Sequence, residues 1–175
     1  MTPKTDNRRL TTGNENMPEA PPDMQALGRV PTGLYIITAE NNGQRAGFLA
    51  SWVCQAGFSP PAVTVAVKQD RPIMRQMSRF AHFAVNLLGK DDQAIMGRFA
   101  RGFDIGQDPF AGSQIKRTDN NTPYLPDALG FLECRVLRVL EPSTEHNIIA
   151  AEVIGGRMLK EGEPWVHVRK SGEHY

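Results

Sequence analysis

GFLASWVCQAGFSPPAVTVAV, residues 47–67, is the stretch on which the fold turns. Its second half, running on to Lys68, alternates small and β-branched residues and reads as an ordinary strand. Residues 47–55 read as the returning strand of a hairpin, yet they carry Ser51, Trp52 and Cys54 where a buried strand carries aliphatics. Strand alternation sends Ser51 and Val53 to one face and Trp52 and Cys54 to the other. Small residues here let a planar ligand approach the backbone, whose N–H and C=O groups then bond a heterocycle's edge. Trp52 either fills the core or covers such a ligand.

Working outward, residues 34–40 (LYIITAE) form the preceding strand, and the Asn-Gly pair in NNGQR marks a tight hairpin turn. Ser59-Pro60-Pro61 is a break. RPIMRQMSRF reads as a helix with Asp70 as N-cap and Pro72 in its first turn. HFAVNLL is a strand, and DDQAIMGRFAR is a helix capped by Asp91 or Asp92. LGFLECRVLRVLEPS and HNIIAAEVIGGRML are two long strands, and VHVRKSGEHY closes the chain. Before the hairpin, DMQALGRV is a short helix with Asp23 as N-cap. Strands separated by turns, not by crossover helices, predict a mainly β, antiparallel barrel with short flanking helices.

Residues 1–22 carry few large apolar side chains, and read as a disordered tail or linker remnant. Residues 23–175 form one domain. Of the 175 residues, 40% are hydrophobic and 22% charged, ordinary for a globular protein, and the net charge of +1 supplies no field for nucleic acid. No apolar run is long enough to span a bilayer, and the N-terminus has no apolar core of a secretory signal. The setting expected is cytoplasmic and reducing.

Cys54 and Cys134 match neither a disulfide framework nor a metal pattern, and read as buried free thiols. The four histidines lack metal-ligand spacing, so no metal is expected. Ser51 and Cys54 have no His or acid beside them in sequence, and no G-x-S-x-G elbow is present, which argues against a hydrolase. Lys68 and Arg71 sit beside an expected helix N-terminus, where free N–H groups and the dipole favour an anion.

ALGRVPTGLYIITA, GFLASWVCQAGFSPPAVTVAV, RFAHFAVNLL, DPFAG, LGFLECRV and VHVRKSGEHY occur in this order over residues 24–175. As a set they resemble the flavin reductase-like FMN-binding split-barrel family. They resemble in particular the module at the C-terminus of flavodiiron oxygen reductases of oxygenic phototrophs. The resemblance implies a six-stranded antiparallel Greek-key barrel, homodimeric, holding FMN non-covalently near the dimer interface. It implies that Phe48, Leu49, Ala50, Ser51, Trp52, Val53, Cys54 and Gln55 line the flavin, with Asn86 nearby. Lys68 and Arg71 lie near its phosphate, and Arg98, Phe99 and Arg101 border it. His167 and Arg169 lie on the side of the incoming nicotinamide. Many relatives carry Asn-Ser or Thr-Ser at the position of Ser51-Trp52, and a tryptophan there suits bound FMN better than exchanging flavin.

The activity implied is hydride transfer from NADH or NADPH to FMN, with no single essential catalytic residue. Two alternatives stand: an FMN electron-transfer module fed by a redox partner protein or a flavodiiron-type core, and a redox-silent barrel holding flavin or haem.

Overall fold

The computed structural model describes residues 19–104, 106–142 and 144–173. Most of the expected tail lies outside them. The chain runs α1 (Pro22–Gly28), β1 (Thr32–Gly33), β2 (Tyr35–Asn41), β3 (Gln44–Ala50), β4 (Val53–Phe58), β5 (Pro61–Lys68), a 3₁₀ turn (Pro72–Gln76) and β6 (His82–Leu87). It continues through α2 (Gln93–Ala100), β7 (Lys116–Arg117), β8 (Pro123–Tyr124), β9 (Gly130–Leu140), β10 (His146–Met158) and β11 (Val166–His167).

Seven strands form one antiparallel sheet in the order β3-β2-β6-β9-β10-β5-β4. The expected mainly β, antiparallel architecture is present, with one more strand than the six of the resemblance. The hydrogen-bond ladder does not close into a barrel: β3 and β4 are its two edges. Yet Ala50 and Val53 are three Cα steps apart, at most about 11 Å. The edges therefore meet at one end through Ser51 and Trp52, and the sheet is a roll split along that seam. The Trp52 carbonyl extends the β4–β5 ladder by accepting from Ala66 N–H at 3.0 Å.

Strand alternation fills the inside of the roll. Ile37 and Ala39 of β2, Phe48 and Ala50 of β3, Val63, Val65 and Val67 of β5, Phe83 and Val85 of β6, Val136 of β9 and Ile149 of β10 form one buried cluster. Each large member contributes roughly 1.5–3 kcal/mol by leaving water. The other face of β2 packs a second cluster under α2, where Ile36, Leu88, Phe99 and Phe110 meet. Gly47 makes that packing possible, since a Cβ there would stand 2.8 Å from the Phe99 ring.

The Asn-Gly hairpin is as the sequence predicts: Asn42 and Gly43 have φ of 50° and 75°, and Asn41 pairs with Gln44. Four local expectations are corrected. Residues 47–55 are not one strand but the end of β3 and the start of β4. Asp70 caps nothing: Pro72 holds Arg71 extended (φ −65°, ψ 134°), and Pro72–Gln76 form a five-residue 3₁₀ turn instead of an α-helix. The helix-dipole argument for an anion at Lys68 and Arg71 therefore lapses. Asp92 occupies the α2 cap position but makes no cap bond; its carboxylate accepts from Gly89 N–H (2.7 Å) and Lys160 Nζ (2.5 Å) instead. Asp23 lies inside the first turn of α1, after a Pro21 cap.

Candidate functional site

The seam sets the site. At Ala50 the chain leaves the roll interior, and Ser51 and Trp52 cross to the other edge before β4 begins. The Trp52 ring has two neighbouring side chains from far along the sequence. His146 at the start of β10 lies 4.8 Å away, centroid to centroid, tilted by 55°. The Arg169 guanidinium lies 5.4 Å from the ring centre. Arg169 is brought there by the C-terminal segment, which is tied to α1: Arg169 N–H donates to Gly28 O at 3.0 Å and Gly172 N–H to Met24 O at 2.6 Å. Gly28 has to be glycine, because its Cβ would fall 2.5 Å from the Ser171 backbone.

Beside Trp52 is a cavity of about 630 Å³, with Tyr35, Ser51, Cys54, Ala66 and Trp165 in its lining. Its floor is the outer face of the sheet, where Cys54 pairs with Thr64 and Ala66 with Ile148. Its rim is the β1–β11 ladder, Thr32 against His167 and Gly33 against Val166. Gly33 makes room for Tyr35, whose hydroxyl would stand 2.3 Å from a Cβ at 33. Burial pushes the Tyr35 hydroxyl pKa up, and the neighbouring Cys54 adds to the rise. Tyr35 therefore stays a neutral donor at physiological pH.

One buried polar atom in this lining is left unpaired by the described residues. Ser51 is 3% exposed, and its Oγ has no hydrogen-bond partner among the described residues. A buried hydroxyl left unpaired costs about 1–3 kcal/mol. The cavity thus combines aromatic walls with a hydroxyl that a ligand's polar edge would satisfy, and it fits a planar heterocycle such as a flavin ring.

Near Trp52 is also a cationic corner. His146 pairs with Lys68 across β10 and β5, and Arg71 is close by. Lys68 forms an exposed ion pair with Asp70 at 3.4 Å. Arg71 is turned over the Phe48 ring at 5.6 Å. The His146 pKa is lowered, mainly by burial, with Lys68 and Arg71 pushing the same way and Glu145 and Asp70 opposing.

The residues singled out from sequence separate into groups. Ser51, Trp52, Val53, Cys54 and Gln55 share the cavity lining, with His167 at its rim and Arg169 behind Trp52. Cys54 is exposed, against the expectation of a buried thiol, because β4 is an edge strand. Cys134 is buried, its pKa pushed up to about 12 by burial and by Glu133. Phe48 and Ala50 point into the roll interior, and Leu49 packs under α2.

Asn86 does not face a cavity. It is wholly buried; its amide donates to Ile36 O (2.8 Å) and Thr38 Oγ1 (3.0 Å) and accepts from Leu125 N–H (2.7 Å). Phe99 is buried in the cluster under α2. Arg98 donates to Pro109 O at 3.0 Å and to Ala111 O, pinning the loop after α2. Arg101 is exposed. Sequence reading missed Tyr35, His146 and Trp165. Only the Gly33 that makes room for Tyr35 left a local trace.

Among the described residues no helix is long and apolar enough to cross a membrane, and no group of His, Cys, Asp and Glu is placed to hold a metal ion.

A split antiparallel roll with an aromatic cavity on its seam defines a class that family comparison makes specific. The profile of the flavin reductase-like domain matches residues 27–173, and the chain belongs to that family. Diflavin flavoprotein A 1 of Synechocystis sp. is 43% identical over 153 residues, which are 86% of this chain and 26% of that protein. The chain thus spans about a quarter of the length of the curated relatives it matches. Among solved structures, the NADH:FAD oxidoreductase SgcE6 of Streptomyces globisporus superposes with a TM-score of 0.75 at 24% identity, over 82% of this chain and 85% of that one. The same protein in complex with NAD and FAD fragments gives 0.72 at 23% identity, over 85% and 87%.

Proposed function

We propose that this chain is a flavin oxidoreductase that binds FMN non-covalently and takes hydride from NADH or NADPH. The observation that carries this reading is the buried, unpartnered Ser51 Oγ in an aromatic cavity of a flavin reductase-like domain. When bound, FMN supplies the hydride-accepting chemistry, which is the cofactor's own.

The chain's part is binding and orientation. Ser51 Oγ and the backbone of residues 51–55 bond the ring edge. Trp52 and Trp165 wall the ring from water, and Arg169 holds Trp52 in place. Lys68 and Arg71 neutralise the phosphate by direct pairing, with no help from a helix dipole. His167 and Arg169 lie toward the nicotinamide. The Tyr35 hydroxyl is an uncharged donor at the cavity wall and is not required to ionise. No side chain acts as acid or base in the hydride step, so no single essential catalytic residue is expected.

A second copy of the chain completes this picture. Cys54 and Phe58 are exposed on β4, with Leu137 and Leu140 on β9 and Ile154 on β10. The outer face of β4, β5 and β10 is also the cavity floor, so a homodimer on that face closes the site. The setting is the cytoplasm.

The test is an anaerobic visible spectrum of the FMN-loaded protein on adding NADH and then NADPH. Bleaching within the mixing time supports the reading and identifies the donor. A second reading, an FMN module fed by a protein donor, draws on the match to a quarter of diflavin relatives. It predicts an FMN spectrum that persists with both nucleotides and bleaches with a reduced flavodiiron-type core.

A further inference from the structure

The two thiols of the chain have opposite settings. Cys134, on β9, is wholly buried inside the roll among Val136 and Ile149, where it is out of reach of reagents. Cys54 is exposed. Its neighbour Val53 pairs with Val65 and packs inside, which leaves Cys54, opposite Thr64, on the outer face of the edge strand β4. The thiol makes a weak contact with the carbonyl of the next residue, Gln55, at 3.5 Å.

Exposure alone would make Cys54 an ordinary surface thiol. Its place in the fold adds more. Cys54 lines the cavity of about 630 Å³ at the seam, together with Tyr35, Ser51 and Trp165. The Ser51 Oγ of the same lining is buried and unpaired among the described residues, which marks this cavity as one that takes a ligand. Cys54 is close enough to Tyr35 for its charge to act on the phenol, and the neutral Tyr35 hydroxyl sets no negative charge against a thiolate. A reagent entering as the flavin ring enters therefore meets Cys54, and a group attached there stands in the place of the ring.

We infer that Cys54 is a modification site through which thiol redox state controls flavin binding. The co-reactant is a low-molecular-weight disulfide. The Cys54 thiol gives its proton to water, and the thiolate sulfur attacks one sulfur of that disulfide. The old S–S bond breaks, a new one forms to Cys54, and the other half leaves as a thiolate. Cys54 is oxidised and the leaving thiol is reduced. The attached group occupies the seam cavity, where the Ser51 and Tyr35 hydroxyls donate to its carbonyl and carboxylate oxygens. Flavin is excluded until a free thiol reverses the exchange. The inference rests on the flavin oxidoreductase reading for the identity of the excluded ligand.

The experiment treats the full chain, reduced and flavin-free, with glutathione disulfide. It follows protein mass, FMN uptake by visible absorbance, and far-ultraviolet circular dichroism. A single glutathionyl adduct is expected, on Cys54, with the dichroism of the folded protein kept. FMN capacity should fall one for one with the modified fraction and return on adding dithiothreitol. FMN at roughly ten times its Kd should slow the modification about 10-fold, since only the unoccupied fraction reacts. Cys54→Ser is compared with itself before and after treatment, and its FMN uptake should not change. The protection measurement needs native protein alone, so it decides the matter if the variant binds no FMN. The inference is overturned if glutathione disulfide leaves Cys54 unmodified, if the adduct forms and FMN binds as before, or if FMN does not slow the reaction. Reduced native protein that takes up no FMN would overturn the flavin reading as well; FMN binding that survives the adduct overturns this inference alone.

Discussion

The guanidinium of Arg169 lies 5.4 Å from the centre of the Trp52 ring, so the end of the chain holds the residue that bridges the split in the sheet. Arg169 is 9% exposed, and the contact is mostly withdrawn from water. Such a pair contributes roughly 0.5–2 kcal/mol. Arg169→Ala is expected to leave the roll folded, to change the near-ultraviolet circular dichroism of Trp52, and to weaken FMN about 3- to 30-fold. An unchanged dichroism spectrum with unchanged FMN affinity would show that Arg169 does not position the ring.

His146 gives a pH signature. Its folded pKa is below the ordinary histidine value of 6.5, chiefly through burial. The unfolded chain therefore binds the proton more readily, and stability is complete above about pH 6.5 and falls as pH drops toward the folded pKa. Denaturant titrations from pH 8 to 5 should show that loss, and His146→Phe should reduce it. FMN, but not riboflavin, should raise the His146 pKa in an NMR titration, because the phosphate offsets Lys68 and Arg71. Equal effects of the two flavins would place the phosphate elsewhere.

Asn86 is a structural residue on this account. Asn86→Ala deletes three buried hydrogen bonds and leaves the Leu125 N–H without its acceptor. The expected loss is on the order of 3 kcal/mol, read by urea unfolding. FMN affinity at a temperature where the variant is folded should be unchanged. A selective loss of FMN with native stability would return Asn86 to the cofactor site.

Gly47 separates two uses of one strand. A methyl at 47 meets the Phe99 ring at 2.8 Å, so Gly47→Ala should cost about 1–3 kcal/mol by overpacking under α2. Thermal unfolding reads this directly. No destabilisation would mean that α2 yields freely and does not brace β3.

The parts of this molecule set by neighbouring residues are legible in the sequence. Asn42 and Gly43 specify their turn through left-handed backbone that Asn and Gly accept. The long alternating runs of β9 and β10 declare themselves by period. The break at Ser51-Trp52 is not legible, because neither residue is a breaker such as glycine or proline. Pairing ends the strand: Tyr35 takes Ala50 on one edge, and Val65 takes Val53 on the other. Arg71 is easily misread although its cue is local, since the residue before a proline resists helix. His146 and Tyr35 enter the site only through register and roll, which no window of sequence contains.

The most direct test of the account is FMN titration of native protein and Ser51→Ala, followed by visible absorbance, with thermal unfolding of both flavin-free proteins. The Ser51 hydroxyl has no partner among the described residues, so its removal should leave stability unchanged or raise it by about 1 kcal/mol, while FMN affinity falls about 5- to 10-fold. Native protein that takes up no FMN, or a Ser51→Ala variant that binds it as tightly as native, would contradict the claim that the seam of the roll is a flavin site.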